Sequence, residues 1–482
     1  MSDFVPPFPF RPEKPYRPLE LIRRARRNFL EIWTEKAFRA QFLETKLLAR
    51  KVFICNSPDT VQYVFSTKNA VFERKSPQMR HALQPLLGDG LFISDGETWR
   101  RRRKLVGPVI HVSKLPEFAP VMVDTILEAR GRWEALPDGQ EVDALSAMAE
   151  LTAEIICRTI FGRQLGGEHA REVVEGFSDY QRLVGQTDAL SLLGLPDWLP
   201  RVHPLGLKRA TRRIHGVLDG IIADYRRRGG SADGSVIGHL LDATDEETGE
   251  PLDDEALRNE AAVIFMAGHE TTANTLAWAW YLLSQAPDVE ARLHAEIDAV
   301  LGGRAPVLGD VPRLPYTRAV IEETLRLYPP VPILAREALE EETIREKRIP
   351  KGSLIMVVPW LIHRHRFLWD EPDHFTPERF LPGGASAKSK FSYIPFSIGP
   401  RICAGLSFGL TESVLSLATL AQGFSLRLRP RHEVQPVARL TLRPGDDLPM
   451  TIHRRSPAAE RAPEAAGDPV PAVCPHLAAG SA

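Results

Sequence analysis

The chain is short of several things. Only four cysteines occur in 482 residues (Cys55, Cys157, Cys403 and Cys474), and their spacing forms no disulfide framework. That excludes a small disulfide-held scaffold and suits a reducing compartment. No uninterrupted apolar run reaches the ~20 residues of a membrane span. The start, Met1-Ser2-Asp3-Phe4-Val5-Pro6-Pro7, has prolines where a secretion signal has its apolar stretch. A soluble, cytoplasmic protein without a transmembrane anchor is therefore expected. An excess of one charge is lacking too. The 61 Lys and Arg against 62 Asp and Glu leave −1, which gives no pull toward nucleic acid. Internal repeats and an interior linker are also absent. This length can bury a large core, so one domain is expected over 19–455. Before it lies a proline-rich extension, 1–18. After it, 456–482 is Ala/Pro/Glu/Gly-rich and reads as disordered; Cys474-Pro475-His476 within it is a weak metal-ligand pair.

Periodicity fills in the rest. Leu19–Glu44 reads as one basic amphipathic helix, with Leu21, Ile22, Ala25, Phe29, Ile32 and Trp33 on a stripe that by default docks on the core, membrane-surface contact being the minor alternative. Lys51–Cys55 reads as a strand, with Asn56 or Ser57 capping a short helix to Phe65. Most of the next 270 or so residues are helical in pattern. β-like patches return over Leu334–Pro359 and Ala438–Arg454. The fold class is mainly α with a minor β-sheet region drawn from distant segments.

Four stretches carry chemistry. Phe396-Ser397-Ile398-Gly399-Pro400-Arg401-Ile402-Cys403-Ala404-Gly405 holds a lone cysteine before an apolar helical run. Unpaired N–H groups and the helix dipole there favour a thiolate. Gly399 and Gly405 let backbone approach something flat, and Arg401 adds a cation. With no zinc-spaced partner, the thiolate suits a metal inside a cofactor, haem iron first; a buried free cysteine is the other reading. Asp254–Gln285 is apolar nearly all round and, if helical, spans close to 50 Å. His269, Glu270, Thr271 and Thr272 interrupt its middle. Gly268 and a threonine bonded one turn back predict a local bulge where an acid and an alcohol relay protons; a satisfied buried polar pair is the alternative. On Tyr316–Leu327, Glu323 and Arg326 sit one turn apart. In Trp99-Arg100-Arg101-Arg102-Arg103-Lys104, Trp99 and Arg103 share a helix face, while a basic run is more often a solvated surface.

Together these resemble the cytochrome P-450 family. The cysteine loop matches Phe-x-x-Gly-x-Arg-x-Cys-x-Gly at every fixed position, with Ser397 where glycine is more usual. Ala267–Thr272 matches Ala-Gly-x-Glu/Asp-Thr-Thr. Glu323-x-x-Arg326, Pro377-Glu378-Arg379-Phe380 and Trp99-x-x-x-Arg103 follow the family order, and Thr441–Met450 fits its C-terminal hairpin. The resemblance covers roughly 45–455. It implies a single large domain with a long central helix over haem b, Cys403 as axial ligand, and Phe396 and Gly405 beside the cofactor. It places Trp99, Arg103, Arg336 and Arg401 on the haem carboxylates. It makes Glu270 and Thr271 the proton donors, and Glu323, Arg326 and Arg379 a structural trio. The implied activity is monooxygenation of a hydrophobic small molecule with dioxygen. Electrons would come from a separate ferredoxin or flavodoxin with its reductase, since no reductase domain follows the cysteine loop. Gly88-Asp89-Gly90-Leu91…Asp95-Gly96…Trp99 looks like relatives acting on fatty acids and terpenoids. Pocket walls are expected from Met79–Phe92, Val263, Phe265, Ala267, Val331–Leu334 and Leu448–Met450, and from Gly185–Pro204 either an apolar lid or a loop packed permanently on the core. Alternatives are a peroxide-dependent or non-oxidative enzyme of the same fold, which typically lacks the acid–alcohol pair, and a haem-thiolate binding protein without turnover.

Overall fold

In the computed structural model of the chain, the first helix stops early. The structure describes residues 4–47, 50–162, 175–177, 179–180, 183, 205–227, 234–245, 248–384 and 389–455. The lid segment 185–204, the tail from 456 and Cys474-Pro475-His476 lie outside these. Helix α1 covers Pro18–Arg27 and does not run to Glu44. Asn28 ends it with extended backbone (φ −159°). The Asn28 side chain is bound elsewhere: Nδ2 donates to Pro436 O at 2.8 Å, while Oδ1 accepts from Leu30 N and Ala438 N. Two short 3-10 turns follow, then strand β1, Phe42–Leu47. Before α1, residues 4–11 lie on the core. Phe375 N–H donates to Phe4 O, the Tyr328 hydroxyl to Pro7 O, and Arg11 pairs with Asp373 at 2.7 Å.

Strand β2 (Arg50–Cys55) leads into a five-stranded sheet with β3 (Arg74–Lys75), β5 (Leu334–Glu337) and β6 (Leu354–Val357), in the order β1-β2-β6-β5-β3. β2 and β6 run parallel, and the other pairs antiparallel. The register sets Lys75 opposite Arg336. A second sheet joins β4 (Glu141–Asp143) and β7 (Phe424–Leu428) to β10 (Pro449–Arg454). Strands β8 (Val437–Ala438) and β9 (Leu442–Arg443) form a small ladder.

Helices make up the bulk. They include α2 (Pro77–Leu87), α3 (Gly96–Val109), α4 (Leu115–Glu134), α5 (Ala144–Phe161), α6 (Leu205–Arg227), α7 (Asp254–Gln285), α8 (Pro315–Leu327) and α9 (Leu406–Gly423). α7 crosses the interior at its expected length, buried on nearly all sides. It is an unbroken α-helix, so the expected bulge is absent. Thr271 Oγ1 does donate one turn back, to Ala267 O at 2.7 Å, but the ladder stays closed around it. Gly268 serves packing: a Cβ there would stand 2.9 Å from Ile156 Cδ1 of α5. Among the described residues, no helix is long and apolar enough to cross a membrane.

Candidate active site

The cysteine loop is shaped by backbone before any ligand is considered. Gly399 has φ +78°, and a Cβ on it would stand 1.9 Å from Phe65 O. Ile402 N–H donates to Gly399 O at 3.0 Å and Cys403 N–H to Phe396 O at 2.9 Å, closing the turn. Phe396 packs half-buried beneath it. Cys403 is exposed although the chain around it belongs to the interior, so its side chain borders open space. Gly405, just before α9, would meet nothing within 4 Å if it carried a Cβ. In α7, Ala267 is exposed and Gly268 and Thr271 half-buried, among turns that are otherwise buried. A Cβ on Gly409 of α9 would lie 3.8 Å from Thr272 Oγ1, so α9 touches α7 beside Thr271.

Ser397 departs from glycine at a position where conformation, more than size, matters. Its φ is +62°, and its hydroxyl is buried without a hydrogen bond. Ser397→Gly is expected to stabilise the fold by about 1 kcal/mol by relieving left-handed strain. A thermal melt with an unchanged or lower midpoint would count against that strain.

Cations gather at the loop. Lys75, Arg336 and Arg401 are buried, and Arg103 is half-buried. Lys75 Nζ lies 4.6 Å over the Phe92 ring, Arg336 5.1 Å over Phe65 and Arg401 4.6 Å over Trp99. Trp99 therefore supports Arg401 from below. Burial lowers the Arg336 pKa to about 9, with Arg401 adding to the shift, and takes Lys75 well below its ordinary value. Like charges facing across a ladder repel, and a buried cation without a counter-charge is costly. Among the described residues, no carboxylate is within ion-pair reach of Lys75, Arg103 or Arg336. An anionic cofactor edge resolves this arrangement, so the site fits haem carboxylates. Lys75 was missed by the sequence reading, where nothing sets it apart from surface lysines.

Protein packed around the Cys403 thiol raises its pKa by desolvation, although the thiol itself borders open space; the Gly405 N–H at the helix mouth and the charges of Arg103 and Lys75 pull it the other way, in the direction expected. A coordinated metal deprotonates a thiol outright.

Glu270 is buried and ion-paired with Arg443 of β9, whose Nε donates at 2.9 Å. Arg443 was also missed as its partner; the two are 173 residues apart. His269 beside it stacks on Phe265 and is held down to about 4 by burial, so it is neutral. Among the expected walls, Met79, Val331, Ile333 and Leu334 are half-buried. Phe265, Leu448 and Met450 are fully buried and belong to the core. The trio assembles: Arg326 binds Glu323 at 2.6 Å, and Arg379 approaches it at 3.5 Å. On the outer face of α3, Arg101 is tied to Asp245 at 2.6 Å and Arg100 to Glu97 at 3.3 Å.

Known proteins carry the same pattern. The family model for Cytochrome P450 matches residues 21–446. Cyclooctatin synthase of Streptomyces melanosporofaciens is 34% identical over 414 residues, 84% of this chain and 86% of that protein. Cyclooctat-9-en-7-ol 5-monooxygenase of the same organism is 33% identical over 398 residues, 80% and 83% of the two chains. The crystal structure of the cytochrome P450DA heme domain superposes with a TM-score of 0.78 at 25% identity, covering 94% of this chain and 99% of that one. A cysteine thiolate holds haem b in this family, and the loop that offers one here is the loop of Cys403. The chain belongs to the cytochrome P450 family and is a haem-thiolate monooxygenase.

Proposed function

We propose that the chain hydroxylates or epoxidises a hydrophobic terpenoid, with Glu270 and Thr271 supplying protons. The observation that carries the proton role is Thr271 at the open side of a helix that is buried elsewhere, with the buried acid Glu270 next to it in the chain. Bound haem b supplies dioxygen activation with two electrons and two protons, one oxygen atom going to substrate and one to water. Cys403 would hold its iron through the thiolate. Arg103, Arg336 and Arg401, with Lys75, would neutralise its carboxylates, with Trp99 backing Arg401 and Phe396 and Gly405 framing the loop. The Thr271 hydroxyl donates to Ala267 O, which leaves its oxygen to accept from the open side. Arg443 holds the Glu270 carboxylate and is itself a quarter exposed, so the ion pair reaches toward solvent. A peroxide-dependent relative or a non-catalytic haem protein has no use for this pair.

Three things support the terpenoid reading. The placed walls are apolar. The Gly88–Trp99 pattern is that of relatives acting on fatty acids and terpenoids. The name of one relative states 5-monooxygenation of cyclooctat-9-en-7-ol. A ligand screen read by the haem spin-state shift tests it; no shift with any terpenoid, and shifts with fatty acids, would reverse the choice. Electrons come from a separate ferredoxin or flavodoxin docking on the basic outer face of α3, in the cytoplasm. Residues 19–455 form the haem domain, flanked by the extension 1–18 and the tail 456–482. Thr271→Ala is expected to keep haem and substrate binding, lower product formation about 100-fold and divert electrons to hydrogen peroxide. Unchanged coupling of NAD(P)H use to product would sink the proton role.

A further inference from the structure

Residues 88–95 cross from α7 to the haem-side cations, and they are held at both ends. At the α7 end the approach is close. A Cβ on Gly88 would stand 2.1 Å from Asn259 Nδ2, and one on Gly90 2.7 Å from Val263 Cγ2. Leu91 N–H donates to both carboxylate oxygens of Glu260, at 3.0 and 3.2 Å. Glu260 is 0% exposed. Arg102 of α3 reaches Glu260 at 3.6 Å and Asp89 at 3.1 Å, and Asn259 donates to Asp89 at 3.3 Å. At the other end Ser94 O accepts from Arg401, and the Phe92 ring lies under Lys75. Asp95 pairs with Arg74 at 2.8 Å, and Gly96 N–H donates to Glu73 at 2.8 Å.

We propose that Glu260 is a positioning residue: by holding Leu91 N–H it fixes the strip 88–95, and through that strip the cations Arg401 and Lys75 beside Cys403. The proposal goes beyond the substrate and proton roles above and depends on neither. A carboxyl group placed deep in an apolar helix face, with one backbone N–H and a 3.6 Å approach of Arg102 as its partners, is costly unless that strip must stay still.

The charge of the group makes the idea testable. Burial raises the Glu260 pKa to about 8, against the pull of Arg102 and the Leu91 N–H; Asp89 adds to the rise. No other charged side chain faces it among the described residues. Arg258 on α7 turns to Asp219, and His215 of α6 bonds Leu86 O. On α5, Glu154 pairs with Arg158. If the strip lifts, water reaches Glu260 and its pKa returns toward the ordinary 4.5. The raised value belongs to the closed state. Closure is therefore favoured most at low pH and weakens as pH rises toward 8, by at most about tenfold per pH unit.

The test is hydrogen–deuterium exchange of the Leu91, Ile93 and Ser94 amides in the full-length haem-loaded protein. Rates are divided by the unstructured-chain rate at the same pH. Wild-type protection is expected to fall severalfold or more between pH 6 and 8. Glu260→Gln keeps an acceptor but cannot ionise, so its protection should be high and flat with pH. Glu260→Ala should lose protection at every pH and release haem to apomyoglobin faster. A flat wild-type profile, a wild-type slope in Glu260→Gln, or wild-type protection in Glu260→Ala would each overturn the proposal. If Glu260→Ala does not fold, the two remaining profiles decide.

Discussion

Arg326→Ala is expected to give little folded haem protein. Arg326 and Glu323 are both 0% exposed. All five guanidinium donors are used. Nε donates to Glu323 at 2.6 Å, and Nη1 donates to Pro372 O at 2.6 Å and His363 O at 2.9 Å. Nη2 donates to Glu323 at 2.7 Å and His374 O at 2.9 Å. Glu323 also accepts from Thr376 N–H at 2.8 Å. Truncation strands a buried carboxylate and three carbonyls, a cost of about 3–5 kcal/mol against a total stability of about 5–15 kcal/mol. The network extends to the cysteine loop. His363, held down to about 3 by burial, is neutral, and its Nε2 accepts from Ile394 N–H at 2.9 Å. Ile394 lies just before Phe396, whose carbonyl anchors Cys403 N–H. Arg379 contributes less: one carbonyl, Glu371 O, at 2.8 Å and a loose 3.5 Å pairing. Arg379→Ala should therefore retain more haem protein than Arg326→Ala. Urea unfolding and haem content per protein measure both. Full haem content in Arg326→Ala would show the network to be dispensable.

What could be read from sequence was local. Helix α7 came out with its bounds because an apolar run of that length has no other place to go in a protein of this size, and α8 because prolines stop it. The trio was legible because Glu323 and Arg326 share one helix turn and Arg379 sits in a recognisable Pro-Glu-Arg-Phe. The cysteine loop was legible as a whole, but not the φ of +62° at Ser397, which is what favours glycine there. What could not be read depends on partners far along the chain. α1 ends at Asn28 because Pro436 and Ala438 bind its side chain. Glu270 meets Arg443, and Glu260 meets Leu91 169 residues before it. Lys75 becomes special only when the sheet register sets it opposite Arg336. The bulge expected in α7 is absent although the bond expected to open it is present: Thr271 donates to Ala267 O and the helix stays continuous, with Gly268 packed on Ile156 of α5.

Cys403→Ala is expected to abolish the red-shifted Soret band of the reduced carbon monoxide complex, and with it product formation, while the loop keeps its shape. The shape rests on backbone: the Gly399 approach to Phe65 O, and the bonds from Ile402 N–H to Gly399 O and from Cys403 N–H to Phe396 O. None needs sulfur. The contrast with a merely buried cysteine is direct. Cys55 and Cys157 are buried, and burial raises the first beyond the usual thiol range and the second to about 12. Each fills core volume, so truncating either should cost about 1 kcal/mol of stability through the cavity left behind and leave the spectrum unchanged. Cys403 is exposed to open space and supports little packing, so Cys403→Ala should cost less stability than Cys157→Ala yet erase the signature. Far-ultraviolet circular dichroism and a thermal melt of the haem-free proteins, set beside the reduced carbon monoxide spectrum, separate the two roles. A Cys403→Ala protein that keeps the red-shifted band would remove Cys403 as the ligand; one that loses the band only by failing to fold would return it to a structural role.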